Sequence, residues 1–339
     1  MTAIIGQDAA LAQFRAALDS GALHHAWLIA GPEGTGKGSF ARTAALRMLA
    51  EAQDAEPPYA DGLPPGFAVP PSHPAAHYFA AGSHPDYRLL DRLPADAKER
   101  AKPRGEWDPD GKLARNISID QVRSLQPLFA TAPSLSRRRV VVIDAIDDLE
   151  RAAANALLKN LEEPPQGTIF LLVSHAPGRL LPTIRSRCRL LRFAALDDDA
   201  MATALRANDP SLSGNDIAGL VKVGEGSVGH ALHMAGLDLG AIDDMLAAIA
   251  RDGDPTNIHR IALGRAVSGK AAQPRYEAML GRVPSYIACE ARARRGQSLA
   301  EAIAAWEAAR TLAASALPLN LDPATVAFEM GGHVARLAR

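Results

Sequence analysis

The residues best placed by type and spacing to do chemistry are Gly31-Pro32-Glu33-Gly34-Thr35-Gly36-Lys37-Gly38. They follow the phosphate-loop pattern G-x-x-x-x-G-K-[ST] as far as Lys37 and depart from it at Gly38. Gly31, Gly34, Thr35 and Gly36 would turn backbone N–H groups inward around phosphate oxygens. The helix that follows adds positive potential, and Lys37 adds a full charge. The hydroxyl that would ligate Mg²⁺ is missing, because Gly38 has no side chain. Ser39 comes next, but it points roughly 100° further round the helix and is a poor substitute.

The other parts of a hydrolytic site can be sought by type. Val140-Val141-Val142-Ile143-Asp144 is unbroken, β-branched and ends in a carboxylate. It reads as a buried parallel strand whose C-terminal end lies beside the phosphate loop, which makes Asp144 the acid of a metal shell. The next residue, where a water-activating glutamate would stand, is Ala145. Asp147 reads as a solvated acid at a helix start. Ser174 ends another apolar run, Thr168 to Ser174, and stands where a polar sensor of a γ-phosphate would. Loss of one positioned proton acceptor costs about 10²–10⁴ in rate. With the metal hydroxyl also gone, the expectation is a loop that holds ATP or ADP without hydrolysing it. A second cluster is Arg185-Ser186-Arg187-Cys188-Arg189. A charge run is ordinarily a solvated face. Here Arg187 could instead reach a neighbouring subunit and stabilise charge on its γ-phosphate.

These residues need elements to hold them. Gln7 to Asp19 has helical spacing and is stopped by Gly21. Ala26–Ala30 reads as a strand before the loop, and Ser39–Ala50 as a helix after it. His24 and His25 lead into that strand; adjacent residues on a strand face opposite ways, which makes them a poor metal pair. Residues 51–115 are rich in proline, including Pro57, Pro58, Pro64 and Pro65, then in mixed charge. They read as an insertion, a mobile loop with short ordered pieces. Within it Ser83–Leu90 could form a second strand, and His73, His77 and His84 lack a fourth metal ligand. Ser118 and Gln121 have capping-box spacing. Glu150–Glu163 reads as a helix stopped by Pro164-Pro165, and Leu190–Phe193 as a last strand. Five strands with intervening helices make residues 1–194 a doubly wound α/β domain. Residues 195–238 read as a small helical domain. Residues 241–339 read as an all-α domain, with helices such as Val283–Arg295, where Pro284 would sit in the first turn.

The bulk numbers bound the rest. A net charge of −1 leaves no polyanion-binding footprint. Two cysteines, Cys188 and Cys289, cannot build a cysteine-rich zinc site and read as reduced cytosolic thiols. No basic-then-apolar leader opens the chain, and no window of about 18 apolar residues exists to span a membrane. A cytoplasmic protein is the expectation.

Several stretches together carry a resemblance. They are Ile5-Gly6-Gln7, His25 to Gly31 with the loop, His84-Pro85-Asp86, Ala154 to Pro165 with its Leu161-Glu162-Glu163-Pro164-Pro165 ending, and Thr183 to Cys188. The chain resembles bacterial DNA polymerase III clamp-loader subunits of the AAA+ class over its whole length. The resemblance implies an AAA+ domain, a helical lid and an oligomerising collar. Departures from the motor pattern of the gamma and tau subunits occur at Gly38, at Ala145, and at Gly229, which stands where the lid's sensor arginine would be. They imply the non-hydrolysing stator type, delta prime. The proline-rich insertion replaces the family's cysteine-rich zinc module, so no zinc is implied. The resemblance further implies a hetero-pentamer with gamma/tau and delta subunits, a sliding β clamp and primed DNA as partners, and Arg187 as a finger completing a neighbour's ATP site. The chain would thus be an ATPase-inactive subunit of a DNA-directed DNA polymerase holoenzyme; the alternative is an active AAA+ motor subunit.

Overall fold

The computed structural model describes residues 4–53, 62–108, 111–235, 237, 239–269 and 272–338. Two compact units divide the chain, Met1–His230 and Ala231–Arg339. In the first, α1 (Asp8–Asp19) leads to β1 (Ala26–Ala30), and the glycine loop then opens α2 (Lys37–Ala52). Next come α3 (Pro74–Ala80), β2 (Tyr87–Asp91), α4 (Ala97–Arg100), α5 (Ile119–Arg123), α6 (Gln126–Phe129) and β3 (Arg139–Asp144). After these come α7 (Arg151–Glu162), β4 (Thr168–Ser174), α8 (Pro182–Arg185) and β5 (Arg189–Arg192).

The five strands form one parallel sheet in the order β2-β3-β4-β1-β5. Alternation along the strands sends side chains to two separate cores, which is why the central strands read as continuous apolar runs. Trp27, Ile29, Val140, Val142, Leu171 and Val173 pack with Phe14 of α1 and Phe40 of α2. Leu28, Val141, Ile143, Phe170 and Leu172 pack on the other face with Leu157 and Leu161 of α7. Helices on both faces leave the carboxyl ends of the strands as the place where loops converge. Those ends carry Ala30, Asp144 and Ser174.

Two expectations are corrected in this unit. His24 and His25 precede β1, so strand alternation does not separate them; their rings stack at 4.3 Å, and His25 Nε2 is 3.1 Å from the Leu161 carbonyl oxygen. The described part of the proline-rich insertion is packed, contrary to a mobile loop. Phe67 meets Phe40 edge-on at 5.5 Å between ring centres, and the buried Arg47 donates to the carbonyls of Pro64 and Ala68 at 2.7 and 2.9 Å. An aromatic anchor and a guanidinium spent on backbone oxygens hold a segment that composition alone reads as loop. Pro57 and Pro58 lie outside the described residues. Ser118 and Gln121 form the expected reciprocal capping box on α5.

Three short helices follow the sheet: α9 (Asp198–Asn208), α10 (Gly214–Gly224) and α11 (Val228–Ala235), the last crossing from the first unit into the second. The second unit continues with α12 (Gly240–Asp252), α13 (Ile258–Ala266), α14 (Gln273–Arg292), α15 (Gly296–Ala316) and α16 (Pro323–Ala335). α14 packs along α15, and α13 along α16. Pro284 lies inside α14 and is buried, not in a first turn. The helix starts earlier because Tyr276, Met279, Leu280, Val283 and Ile287 share one buried face, and Pro274 supplies the first-turn proline. Among the described residues no helix is long and apolar enough to cross a membrane.

Candidate functional site

The glycine loop leaves the end of β1 and closes into the first turn of α2. Gly34 and Gly36 both hold positive φ, at 73° and 90°. Among the described residues, the backbone N–H groups of Gly34, Gly36, Lys37, Gly38 and Ser39 meet no carbonyl or side chain, so these donors of an anion cradle are unspent. Lys37 does not extend into that cradle. Its Nζ donates to the Pro32 carbonyl, which also accepts from the Thr35 hydroxyl at 2.9 Å. Lys37 is buried, and this burial pushes its pKa down to about 8.

Asp144 reaches the loop, as the strand reading requires. Its Oδ2 accepts from Arg42 Nη1 at 3.0 Å. A Cβ added at Gly38 would lie 2.2 Å from the same oxygen. The carboxylate therefore fills the space that a metal-binding hydroxyl would use, and an arginine already neutralises it. The seat does not fit Mg²⁺. Among the described residues no group of three or more His, Cys, Asp or Glu side chains is placed to hold a metal. Ala145, at the position of the missing base, is 3% exposed.

Asp147 is not a solvated helix-start acid. It accepts from the Ser174 hydroxyl at 3.0 Å, from His175 N–H at 2.7 Å and from Ala176 N–H at 3.1 Å. It thereby fixes the turn after β4 and engages the Ser174 hydroxyl, the position expected of a phosphate sensor. Sequence reasoning missed this role and missed Arg42 altogether. The available signal was spacing, since Arg42 is four residues beyond Gly38 and so shares its face of α2.

The loop is also covered. Gly229 N–H, in the first turn of α11, donates to the Gly34 carbonyl at 3.0 Å. A Cβ at Gly34 would meet Ser227 Oγ at 2.2 Å, and one at Gly229 would meet Gly34 Cα at 2.9 Å. Two glycines let one backbone lie against the other, with Ser227 Oγ accepting from His230 N–H at 3.1 Å to cap the helix. An arginine at position 229 has no room in this arrangement.

Arg187 belongs to a different group. It follows α8 and donates to the Thr183 carbonyl at 2.8 Å and to Glu162 of α7 at 2.7 Å. About a third of its side chain is exposed. Cys188 beside it packs against the core under α7, and burial pushes its thiol up to about 12, so it is no reactive nucleophile. The structure therefore brings Gly31–Gly38, Asp144 and Ser174 to one end of the sheet and sets Arg187 in a separate cluster with Glu162.

A family model described as DNA polymerase III, delta subunit, matches residues 6–197. The chain is similar to DNA polymerase III subunit delta' of Pseudomonas aeruginosa, 37% identical over 164 residues, which are 48% of this chain and 41% of that protein. It is similar to subunit delta' of Escherichia coli, 34% identical over 152 residues, 45% of this chain and 40% of the relative. It is also similar to subunit gamma/tau of Mycobacterium tuberculosis, 32% identical over 203 residues, 60% of this chain and 30% of the relative. The chain thus spans less than half the length of each of these relatives.

Proposed function

The chain belongs to the DNA polymerase III delta-subunit family, and on that footing we propose that it is the non-hydrolysing, delta-prime-type stator of a clamp loader. In this reading it assembles with gamma/tau and delta subunits as a hetero-pentamer in the cytoplasm. The complex opens a sliding β clamp and sets it on primed DNA during replication. The chain's own chemical contribution is Arg187, presented to the ATP site of an adjacent gamma/tau subunit. A guanidinium there stabilises the charge that develops on the transferring phosphoryl group.

The observation that carries the reading is a contrast between two sites. Every catalytic position of the chain's own phosphate site is absent or engaged internally: Gly38, Ala145, Asp144 with Arg42, and Ser174 with Asp147. Arg187, by contrast, sits about one third exposed on a short turn, held by a surface ion pair and one hydrogen bond to the Thr183 carbonyl that open together to release it. The loop's unspent N–H groups would hold ATP or ADP by its phosphates once Lys37 leaves the Pro32 carbonyl. Without a metal seat or a base, that nucleotide is held and not turned over.

A second reading, an active motor subunit, is favoured by the similarity to a gamma/tau protein over a longer stretch than to the delta' proteins. Gly38, Ala145 and Gly229 weigh against it. Phosphate release by the isolated chain separates the two. The stator reading expects background release, unchanged in Lys37→Ala. Release well above background and lost in Lys37→Ala would establish the motor.

A further inference from the structure

We propose that Arg42 is a built-in substitute for a divalent cation, so that this phosphate site takes up a polyphosphate without metal. The inference rests on the reading that the loop holds a nucleotide without hydrolysis.

A metal between a phosphate loop and a strand-end acid does two things. It cancels the carboxylate's charge, and it bridges that carboxylate to phosphate oxygens. Arg42 already does the first: its Nη1 is 3.0 Å from Asp144 Oδ2. Gly38 is the condition for that contact, because any side chain there would meet Oδ2 at 2.2 Å. Gly38 and Arg42, one helical turn apart on α2, are therefore two halves of one arrangement, not a lost residue beside an unrelated one. The exchange also fits the charges around it. Arg104 is paired with Asp91, and Asp147 is spent on Ser174 and two backbone N–H groups. Arg42 stands beside the cradle with Lys37, and its charge is met by Asp144 alone among the described residues.

The guanidinium can do the second task as well. It presents five N–H donors in a planar fork suited to phosphate oxygens, and only one of its nitrogens is engaged by Asp144. Its side chain is 39% exposed, so the remaining donors are within reach of solvent and of an incoming anion. It differs from a metal in two respects. The pair with Asp144 is neutral where a divalent ion with Asp144 would be positive, so the phosphate is held more weakly. It also cannot carry an ordered, acidified water, so it supports binding and not hydrolysis.

The test uses the full chain and a fluorescent N-methylanthraniloyl ADP, titrated in excess magnesium and in EDTA. Equal affinity in the two buffers is expected. Arg42→Met should weaken metal-free binding by about tenfold, the loss of one charge-assisted contact, and Arg42→Lys should restore part of it. The exposure of Arg42 makes these variants compatible with folding, which circular dichroism checks. Electron paramagnetic resonance with Mn²⁺ supplies a second readout, in which wild-type protein with ADP should show no bound Mn²⁺. Magnesium tightening wild-type binding by tenfold or more, bound Mn²⁺, or an Arg42→Met variant equal to wild type would overturn the role of Arg42 while leaving nucleotide holding intact. No ADP binding in either buffer would instead remove the nucleotide reading, and this inference with it.

Discussion

Arg187 and Glu162 join the chain's two most specific motifs, with Nη2 of the arginine 2.7 Å from Oε1 of the glutamate. One belongs to the Ser186-Arg187-Cys188 turn after α8, the other to the end of α7 before Pro164-Pro165. Both side chains are partly exposed, at 34% and 48%. A pair of this kind is worth about 0–1 kcal/mol, so the arginine is held in place yet is inexpensive to release. Arg187→Ala should therefore lower the stability of the isolated chain by less than about 1 kcal/mol in urea unfolding. A loss of several kcal/mol would mark Arg187 as a structural residue.

Gly38 invites an attempt to restore the missing hydroxyl, and the structure argues that this fails. In Gly38→Ser the new Cβ collides with Asp144, which must abandon Arg42. Forcing atoms into an occupied space costs about 1–3 kcal/mol. The expected outcome is a lower urea midpoint and no gain in phosphate release. A variant as stable as wild type that hydrolyses ATP would contradict the description of this site.

Gly229 poses the same question on the covering helix. Gly229→Arg would supply the motor pattern's arginine, but its Cβ would lie 2.9 Å from Gly34 Cα. The variant should separate α11 from the loop. Amide exchange at Gly229, whose N–H now donates to the Gly34 carbonyl, should accelerate. Unchanged protection there would show that the two backbones do not depend on their glycines.

His84 gives a pH dependence. It is buried, its Nε2 has no hydrogen-bond partner among the described residues, and its Nδ1 accepts from Asp86 N–H at 3.2 Å. Burial lowers its pKa below the ordinary value of 6.5. Below about pH 6.5 the unfolded chain takes up a proton that the folded chain refuses, so stability is full above that pH and falls as pH drops through it. His84→Asn keeps an acceptor for Asp86 N–H and removes the titration. Its urea midpoint should change less than that of wild type between about pH 7.5 and pH 5. His25 and His73 are lowered by burial in the same sense, so part of the wild-type slope should remain. An identical slope in the variant would exclude His84 as a contributor.

Much of this was legible in the residues. Local signals had local causes: Ser118 with Gln121 capped α5, Pro164-Pro165 followed α7, and the run Val140–Asp144 was a strand buried on both faces. What stayed hidden depended on contacts between residues distant in sequence. Arg42 meets Asp144 from 102 positions away, and Asp147 turns toward Ser174 from 27. No pattern in either segment encodes the partner. Composition misled at the proline-rich insertion, because its few apolar residues, Phe67 against Phe14 and Phe40 and Ala75 with Phe79 against α2, are enough to pack the segment onto the core. Proline preference for a first turn misled at Pro284, because the apolar face of α14 runs through that position.

Phe67 reports whether the insertion is part of the core. If the insertion is part of the core, Phe67→Ala should cost about 2–3 kcal/mol in urea unfolding, less than a fully buried phenylalanine because Phe67 is only partly buried. A cost below about 0.5 kcal/mol would return the segment to the status of a surface loop.

Under the proposed function this chain supplies Arg187 to a neighbour's ATP site. Single-turnover ATP hydrolysis by a reconstituted clamp loader, with clamp and primed DNA present, reads that role. With Arg187→Ala the complex should assemble to the same extent on gel filtration, and hydrolysis at the adjoining site should slow by about 10³-fold, the usual worth of an arginine finger. That loss would appear as a fraction of bound ATP that persists after the rest is spent. Amplitude and rate equal to those of the wild-type complex would rule out Arg187 as a finger.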